Sequence, residues 1–290
     1  MIQKSSTLIS SNIESNLVTP KSHLKNRQAG GSAEWWKLLT LPLLVFITLP
    51  ILSIFLRTPI NDFLETLNQT QVIQAVNLSL VTSSITTSVT LLVGAPVAVL
   101  ISKKDTPLRH VIDTLMDLPT VLPPSVAGVA LLMAFGRRGL IGPLLESLGI
   151  HIPFTMVAVI LAQLFIASPL FVKAAAIGFS AIDPILIQAA ELDGANRWQI
   201  FRYVVLPLSW ASLLSGGVMT WARSLGEFGA TIIFAGNFPG KTQTIPLAIY
   251  LGFEIDMKVA LTLAAIMVCI SFLTLALVKG VLHKRLEPEN

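Results

Sequence analysis

DPILIQAAELDGANRWQIFRYVVLP, residues Asp183 to Pro207, is the only long segment between apolar runs of this chain that carries the pattern of ordered helix. Asp183 is a good N-cap, and Pro184 sits where a first helical residue tolerates proline. Ile185 to Asp193 predict a short helix that ends at Gly194, a natural C′ residue. Asn196 caps a further turn or two, in which Trp198, Phe201 and Val205 share one face. Pro207 then opens the next apolar segment. A compact helix-turn-helix at the water side of a membrane protein has the form of a docking element.

The setting is a membrane. Apolar residues make up 53% of the 290-residue chain and charged residues 12%, and the mean hydropathy is +0.74. Apolar runs of about twenty residues recur, the length that crosses a bilayer. The formal net charge of +4 is not a nucleic-acid signal, because Lys and Arg lie mostly at the ends of apolar runs, where they set orientation. Cys269 is the one cysteine, which excludes intrachain disulfides and cysteine metal clusters; inside an apolar run it reads as a small core hydrophobe. His23, His110, His151 and His283 stand too far apart to bind a metal together. With no Ser or Cys nucleophile motif either, no catalytic residue and no metal ligand is expected.

Residues 1–34 are polar and rich in Ser, Asn and Lys, and read as a disordered cytoplasmic tail, with no apolar core close enough for a secretory signal. Residues 35–290 read as one transmembrane domain. Its spans are expected at about 36–56, 75–101, 111–135, 153–177, 208–236 and 259–278. Trp35 and Trp36 anchor the first span at the interface. The second is rich in Ser and Thr (Ser79, Thr82, Ser83, Ser84, Thr86, Thr87, Ser88), which serve helix packing or line a wet path. Segments 57–74, 136–152 and 237–256 read as loops on the outer side. The N-terminal tail, the turn with Lys103, Lys104 and Arg109, the 183–207 loop and the C-terminal Lys279, Lys284 and Arg285 carry most of the positive charge, whereas Arg57, Arg137, Arg138 and Lys241 lie in the other loops. Both termini are therefore expected in the cytoplasm. About ten residues follow the last span, too few for a further domain.

Within the third span, Leu118-Pro-Thr-Val-Leu-Pro-Pro-Ser125 carries Pro119, Pro123 and Pro124, which break or kink a helix by removing N–H donors and crowding the preceding turn. Such a break is expected to face protein or a wet cavity. In the fifth span, Arg223 and Glu227 stand at i,i+4 and are expected to pair toward the protein interior. They read equally as a gate or pathway element and as a structural pair. Gly226 and Gly229 beside them allow a second backbone to approach. Gly240-Lys241-Thr242 is not a phosphate loop: the first glycine of the motif falls on Ala235, the segment follows a membrane helix, and it reads as a turn. Asp113 and Asp117, at i,i+4 near one membrane end, lack the second helical Asp motif of an intramembrane protease.

Gln188-Ala-Ala-x-x-x-Gly194 with Val204-x-Leu206-Pro207 resembles the EAA loop of ABC importer permeases, a cytoplasmic coupling helix that inserts into the ATPase subunit. The resemblance gives Gln188, Ala189, Ala190, Glu191 and Gly194 the role of ATPase coupling. Gln188 stands where the family usually has Glu, so an ion pair with the ATPase is not expected there. Arg223-Ser-Leu-Gly-Glu-Phe-Gly and its continuation through Gly240-Lys-Thr-Gln-Thr-Ile-Pro-Leu-Ala-Ile-Tyr250, together with Leu118-Pro-Thr-Val-Leu-Pro-Pro and Phe135-Gly-Arg-Arg-Gly, resemble permease subunits of the molybdate/sulfate type, the molybdate branch most fully. The resemblance implies an all-α polytopic fold of six transmembrane helices in a type I importer permease of the cell inner membrane. It implies a homodimer with two cytoplasmic ATPase subunits, which hold ATP and Mg2+, and an extracytoplasmic oxyanion-binding protein. The implied cargo is molybdate or tungstate. A sulfate or thiosulfate permease of the same architecture is the alternative, and a membrane enzyme or receptor is a more distant one.

Overall fold

The computed structural model describes residues 33–102 and 107–286, with side chains for 39–102 and 107–280. Every regular element among them is helical. The tail before residue 33, Lys103, Lys104 and the side chains of Trp35, Trp36, His283, Lys284 and Arg285 lie outside the described set. The chain divides into two units, Met1–Pro50 and Ile51–Asn290. The described part of the first belongs to α1 (Ala33–Arg57), an apolar helix carrying Pro42 and Pro50.

In the second unit, Thr70–Ser102 form α3 and Met156–Ser180 form α7. These two carry most of the buried residues. Ala98, Ile101, Phe171, Val172, Ala175 and Phe179 make one core cluster between them. Prolines divide the next span. Pro107–Val121 form α4 and Pro124–Phe135 form α5, and their axes bend by 117° at the break. Pro123, at φ −55 and ψ 134, is the N-cap of α5, and Pro124 occupies the first helical position, where its missing N–H costs nothing. Pro119 does not break the chain. It is buried inside α4, whose last turns pass through it.

Beyond α7 come α8 (Pro184–Leu192) and α9 (Arg197–Ile200), then a π-helical turn at Phe201–Val205 that runs directly into α10 (Leu206–Leu225). The wide turn has a local cause. Pro207 has no N–H and its ring crowds the carbonyl four residues back, and one extra residue in the turn moves that carbonyl away. Counting α1, α3, α7, the α9–α10 run and α13 (Met257–Leu286), five described helices are long and apolar enough to cross a membrane, or six if the bent α4–α5 pair is one span.

Five expectations need correction. The 57–74 loop contains α2 (Ile60–Leu67) and the first turn of α3. The 136–152 loop contains the short helix α6 (Gly142–Ser147). The fifth span does not run to 236: it stops at Gly226, and a separate helix, α11 (Gly229–Phe234), follows. The 237–256 segment is not an open loop. It holds α12 (Ile245–Ile255), whose Ile245, Leu247 and Ala248 are fully buried. Its buried face, together with Val72, Ala75, Val259 and Leu263 of α3 and α13, makes a further core cluster. A short helix of this kind is apolar for the same reason as a span, because both bury side chains, so hydropathy alone does not separate them. Cys269 is also exposed, not a core residue.

The serines and threonines of α3 mostly serve packing. Gln163 of α7 is buried between Thr82 and Thr86, donating to the first at 3.1 Å and accepting from the second at 3.0 Å. Ser79 accepts the backbone N–H of Ile245 at 2.7 Å. Each bond satisfies a polar group that would otherwise be costly at membrane depth.

Candidate functional site

The 183–205 segment holds its shape almost entirely by its own hydrogen bonds. Asp183 Oδ1 accepts the N–H of Ile185 at 2.9 Å. At the other end of α8, Gly194 has φ +84, the left-handed region that a side chain disfavours. The N–H of Ala195 reaches the carbonyl of Ala190, and that of Gly194 reaches Glu191, both at 3.0 Å, which closes a Schellman motif. Asn196 and Gln199 then form a reciprocal capping box. The following turn is seated on α7. Phe201 stacks on Trp198 and meets Phe179 edge-on, with centroids 5.8 and 6.4 Å away.

What this element does not do is bury itself. No residue of α8 is buried. Gln188, Ala189, Glu191 and Gly194 are exposed and Ala190 is half-buried. Ile185, Leu186, Leu192 and Trp198 are exposed as well, Leu192 at 89%. An ordered helix with apolar side chains turned to solvent, held rigid by caps at both ends, is suited to fill a groove on another protein.

The second region lies where α10 ends. Arg223 Nη1 and Glu227 Oε2 are 2.8 Å apart; the Glu227 side chain is 1% exposed and that of Arg223 36%. The other carboxylate oxygen of Glu227 accepts the N–H of Ala230 at 2.8 Å, in the first turn of α11. One buried carboxylate thus ties the end of α10 to the start of α11. Gly229 packs against the helix break: a Cβ there would lie 2.8 Å from the Cβ of Pro124. The contact is repeated one turn on, where a Cβ on Gly128 would lie 2.8 Å from the carbonyl oxygen of Ala230. Gly226 does not play this part. A Cβ there would meet Ala222 and Met267 only at 3.7 and 3.8 Å, ordinary contact distances. Two interrupted helices therefore meet at their interruptions, with Pro123, Pro124, Gly229, Glu227 and Arg223 gathered at one place.

Gly240-Lys241-Thr242 forms a closed turn. The N–H groups of Lys241, Thr242 and Gln243 all point to the carbonyl of Phe238, and the buried Thr242 hydroxyl bonds the backbone of Gly236 and Phe238. These N–H groups are spent inside the turn and do not cradle a phosphate. Among the described residues no group of His, Cys, Asp or Glu could hold a metal ion.

Sequence reasoning missed Lys173. It lies inside α7, and its Nζ is 2.5 Å from Asp113 and 2.9 Å from Asp117 of α4. The signal was present, since a lone cation inside an apolar run needs a partner. The i,i+4 spacing of the two aspartates does not say what they face. Lys258 was missed in the same way; it pairs with Asp62 of α2 at 3.1 Å.

Together these features define a helical multi-pass membrane protein with one rigid, unburied helix-turn-helix and one internal junction of broken helices. Residues 90–289 match the family model described as the binding-protein-dependent transport system inner membrane component. The chain belongs to this family, and is a multi-pass inner-membrane protein. It is 38% identical over 236 residues to the probable transport system permease protein NifC of Clostridium pasteurianum, covering 81% of this chain and 82% of the relative. It is 43% identical over 178 residues to the molybdenum transport system permease protein ModB of Escherichia coli strain K12, covering 61% and 78%. In fold it resembles a chain of a bacterial ABC transporter involved in import of the acidic polysaccharide alginate, with TM-score 0.67, 16% identity and coverage of 88% and 96%. The type I ABC importer architecture expected from the EAA-like loop is thus the fold observed.

Proposed function

We propose that this chain is the membrane subunit of an ATP-driven importer of molybdate, with tungstate as its close analogue, and that it works as a homodimer. The observation that carries the mechanism is the α8–α9 element, capped at both ends yet with no residue of α8 buried. The kinship with molybdenum permeases supports the cargo. The chain is not itself catalytic. Two cytoplasmic ATPase subunits hold ATP and Mg2+ and receive Gln188, Ala189, Ala190, Glu191 and Gly194 in a groove. Their closure draws α8 with it, and the movement opens the pathway outward; hydrolysis and release reset it. A soluble extracytoplasmic protein binds the oxyanion and delivers it to the loops around 57–74, 136–152 and 237–256. This sidedness puts both termini in the cytoplasm, in keeping with the distribution of Lys and Arg. Residues 1–34 are a cytoplasmic tail to the transmembrane domain. Arg223, Glu227, Gly226 and Gly229 belong to the gate region, where Glu227 fixes the α10–α11 junction and Arg223, about a third exposed, is the charged group offered to the pathway.

The test is vesicle uptake with the cognate ATPase and binding protein, comparing labelled molybdate with sulfate, beside a Gly194→Asp chain. ATP-dependent molybdate uptake that the substitution abolishes is the expected result. Uptake of sulfate alone would retain the architecture and defeat the substrate assignment. A complex that hydrolyses ATP and moves neither anion would defeat the oxyanion reading.

A further inference from the structure

We propose that Lys173 is a positioning residue that makes α7 and the bent α4–α5 pair move as one body, and so passes displacement of the α8 element to the helix junction at Glu227. The proposal rests on the functional reading above.

The geometry begins with charge. Lys173 lies seven residues before the end of α7, about 10 Å along the axis, so it falls within the length of a membrane-crossing helix. Its side chain is 32% exposed and engages two carboxylates, Asp113 and Asp117, one turn apart on α4. Arg109 is one further turn back and lines the same 460 Å3 cavity as Asp113, Lys173 and Ser180. Because Lys173 faces residues 113 and 117 while Ser180 shares the cavity with Arg109, the two helices run in opposite directions.

This ladder sets the register of α4 against α7. A slide of one turn, about 5.4 Å, in one direction would place Lys173 between Arg109 and Asp113, exchanging an attraction for a like-charge contact. A slide the other way would place it between Asp117 and Val121, losing one carboxylate. Either slide gives up attraction between opposite charges that now lie within 3 Å of each other. Neither a slide nor a roll of α4 leaves both ion pairs in place.

The ladder also sits between the two regions of the molecule. On one side, α7 ends at Ser180, and only Ala181, Ile182 and Asp183 separate it from α8. Ile182 is buried, and Phe179 holds Phe201 edge-on. On the other side, α4 leads through the proline break to α5, which packs on α11 at Gly128 and Gly229, next to Glu227. Ile112 and Met116 of α4 pack against the α3–α7 core, and apolar contacts slide more readily than ion pairs.

The test uses the assembled complex in vesicles with three chains: Lys173→Met, Lys173→Arg, and the exchanged pair Lys173→Glu with Asp113→Lys, which keeps one ion pair between the two helices and sets position 173 against Asp117. For Lys173→Met we expect ATP hydrolysis within about twofold of the original chain and molybdate uptake lower by about tenfold, so that cargo moved per ATP collapses. Lys173→Arg should restore most of that ratio and the exchanged pair part of it. A Lys173→Met complex that keeps the original ratio overturns the proposal, and so does one in which hydrolysis and uptake fall together with no rescue by the exchanged pair, since a merely structural role would do that. A second arm does not depend on the cargo. With Cys269 replaced by Ser, spin labels at Met133 of α5 and Phe272 of α13 report α5 directly. With Lys173 we expect a nucleotide-dependent distance change, and it should vanish in Lys173→Met while hydrolysis persists; a change that persists in Lys173→Met, or none with Lys173, means that Lys173 does not have this role. Failure of the original chain to move molybdate, with the distance change intact, would count against the cargo and leave Lys173 to be judged by the labels.

Discussion

The α8–α9 element and the α10–α11 junction are both short interruptions between long helices, and they are built in opposite ways. The first satisfies its backbone locally. Asp183, Gly194, Asn196 and Gln199 close the orphan groups of two short helices within the segment itself. It offers its apolar side chains to solvent. The second is closed only in part within its own segment. Phe228, the N-cap of α11, makes no side-chain cap bond, and the buried carboxylate of Glu227 and the tight seat on Pro124 replace it. A self-sufficient element can be carried as a rigid body and inserted into a partner. A junction held by tertiary contacts changes only when its neighbours move, which suits a gate.

Substitutions should separate the two regions by what they damage. The largest effect is expected at Glu227. Glu227→Ala leaves Arg223 without its carboxylate and the N–H of Ala230 buried without an acceptor, at a cost of about 3 kcal/mol, the low end for such a loss because Arg223 keeps some solvent. The detergent-solubilised chain should unfold at a clearly lower temperature, and Glu227→Gln should recover part of the loss. An unchanged midpoint for Glu227→Ala would mean that the junction does not depend on this carboxylate.

Next comes Gly229→Val. The added side chain collides with Pro124, and overpacking of this kind costs about 2 kcal/mol. Thermal unfolding again reads the outcome. Gly226→Ala, whose new methyl meets only ordinary contacts, should be far milder. Equal effects at the two glycines would show that backbone conformation and not close packing matters there.

The smallest change in stability belongs to the exposed element. Gly194→Ala strains the left-handed residue by about 1 kcal/mol, and Leu192→Ser should change stability by less than about 0.5 kcal/mol because the side chain touches so little. Both should nevertheless weaken co-purification with the ATPase, Leu192→Ser without any shift in unfolding temperature. Leu192→Ser with full ATPase binding would remove the exposed apolar face from the docking surface.

Much of this was legible in the residues. The ends of α8 were readable because capping is a local transaction between a side chain and backbone two or three residues away. The break at Pro123 and Pro124 was readable because a missing N–H acts on its own turn. The π turn before Pro207 has an equally local cause, yet sequence reasoning took Pro207 simply as the start of a span; the proline was seen and its relief was not. Pro119 shows the limit from the other side. Its chemistry matches that of Pro123, but it sits within the last turn of α4, and the helix continues through it.

What the sequence by itself determined is a multi-pass helical chain with a capped helix-turn-helix between spans, because hydropathy, capping and proline chemistry act over a turn or two of backbone. What only the tertiary structure decided is which of these pieces meet. The Lys173–Asp113 pair spans 60 residues, the seat of Gly229 on Pro124 joins α11 to the broken α4–α5 pair, and the 237–256 segment folds inward onto α3 and α13. Such contacts depend on how helices stack, and a side chain's type states only that it needs a partner, not where that partner will be.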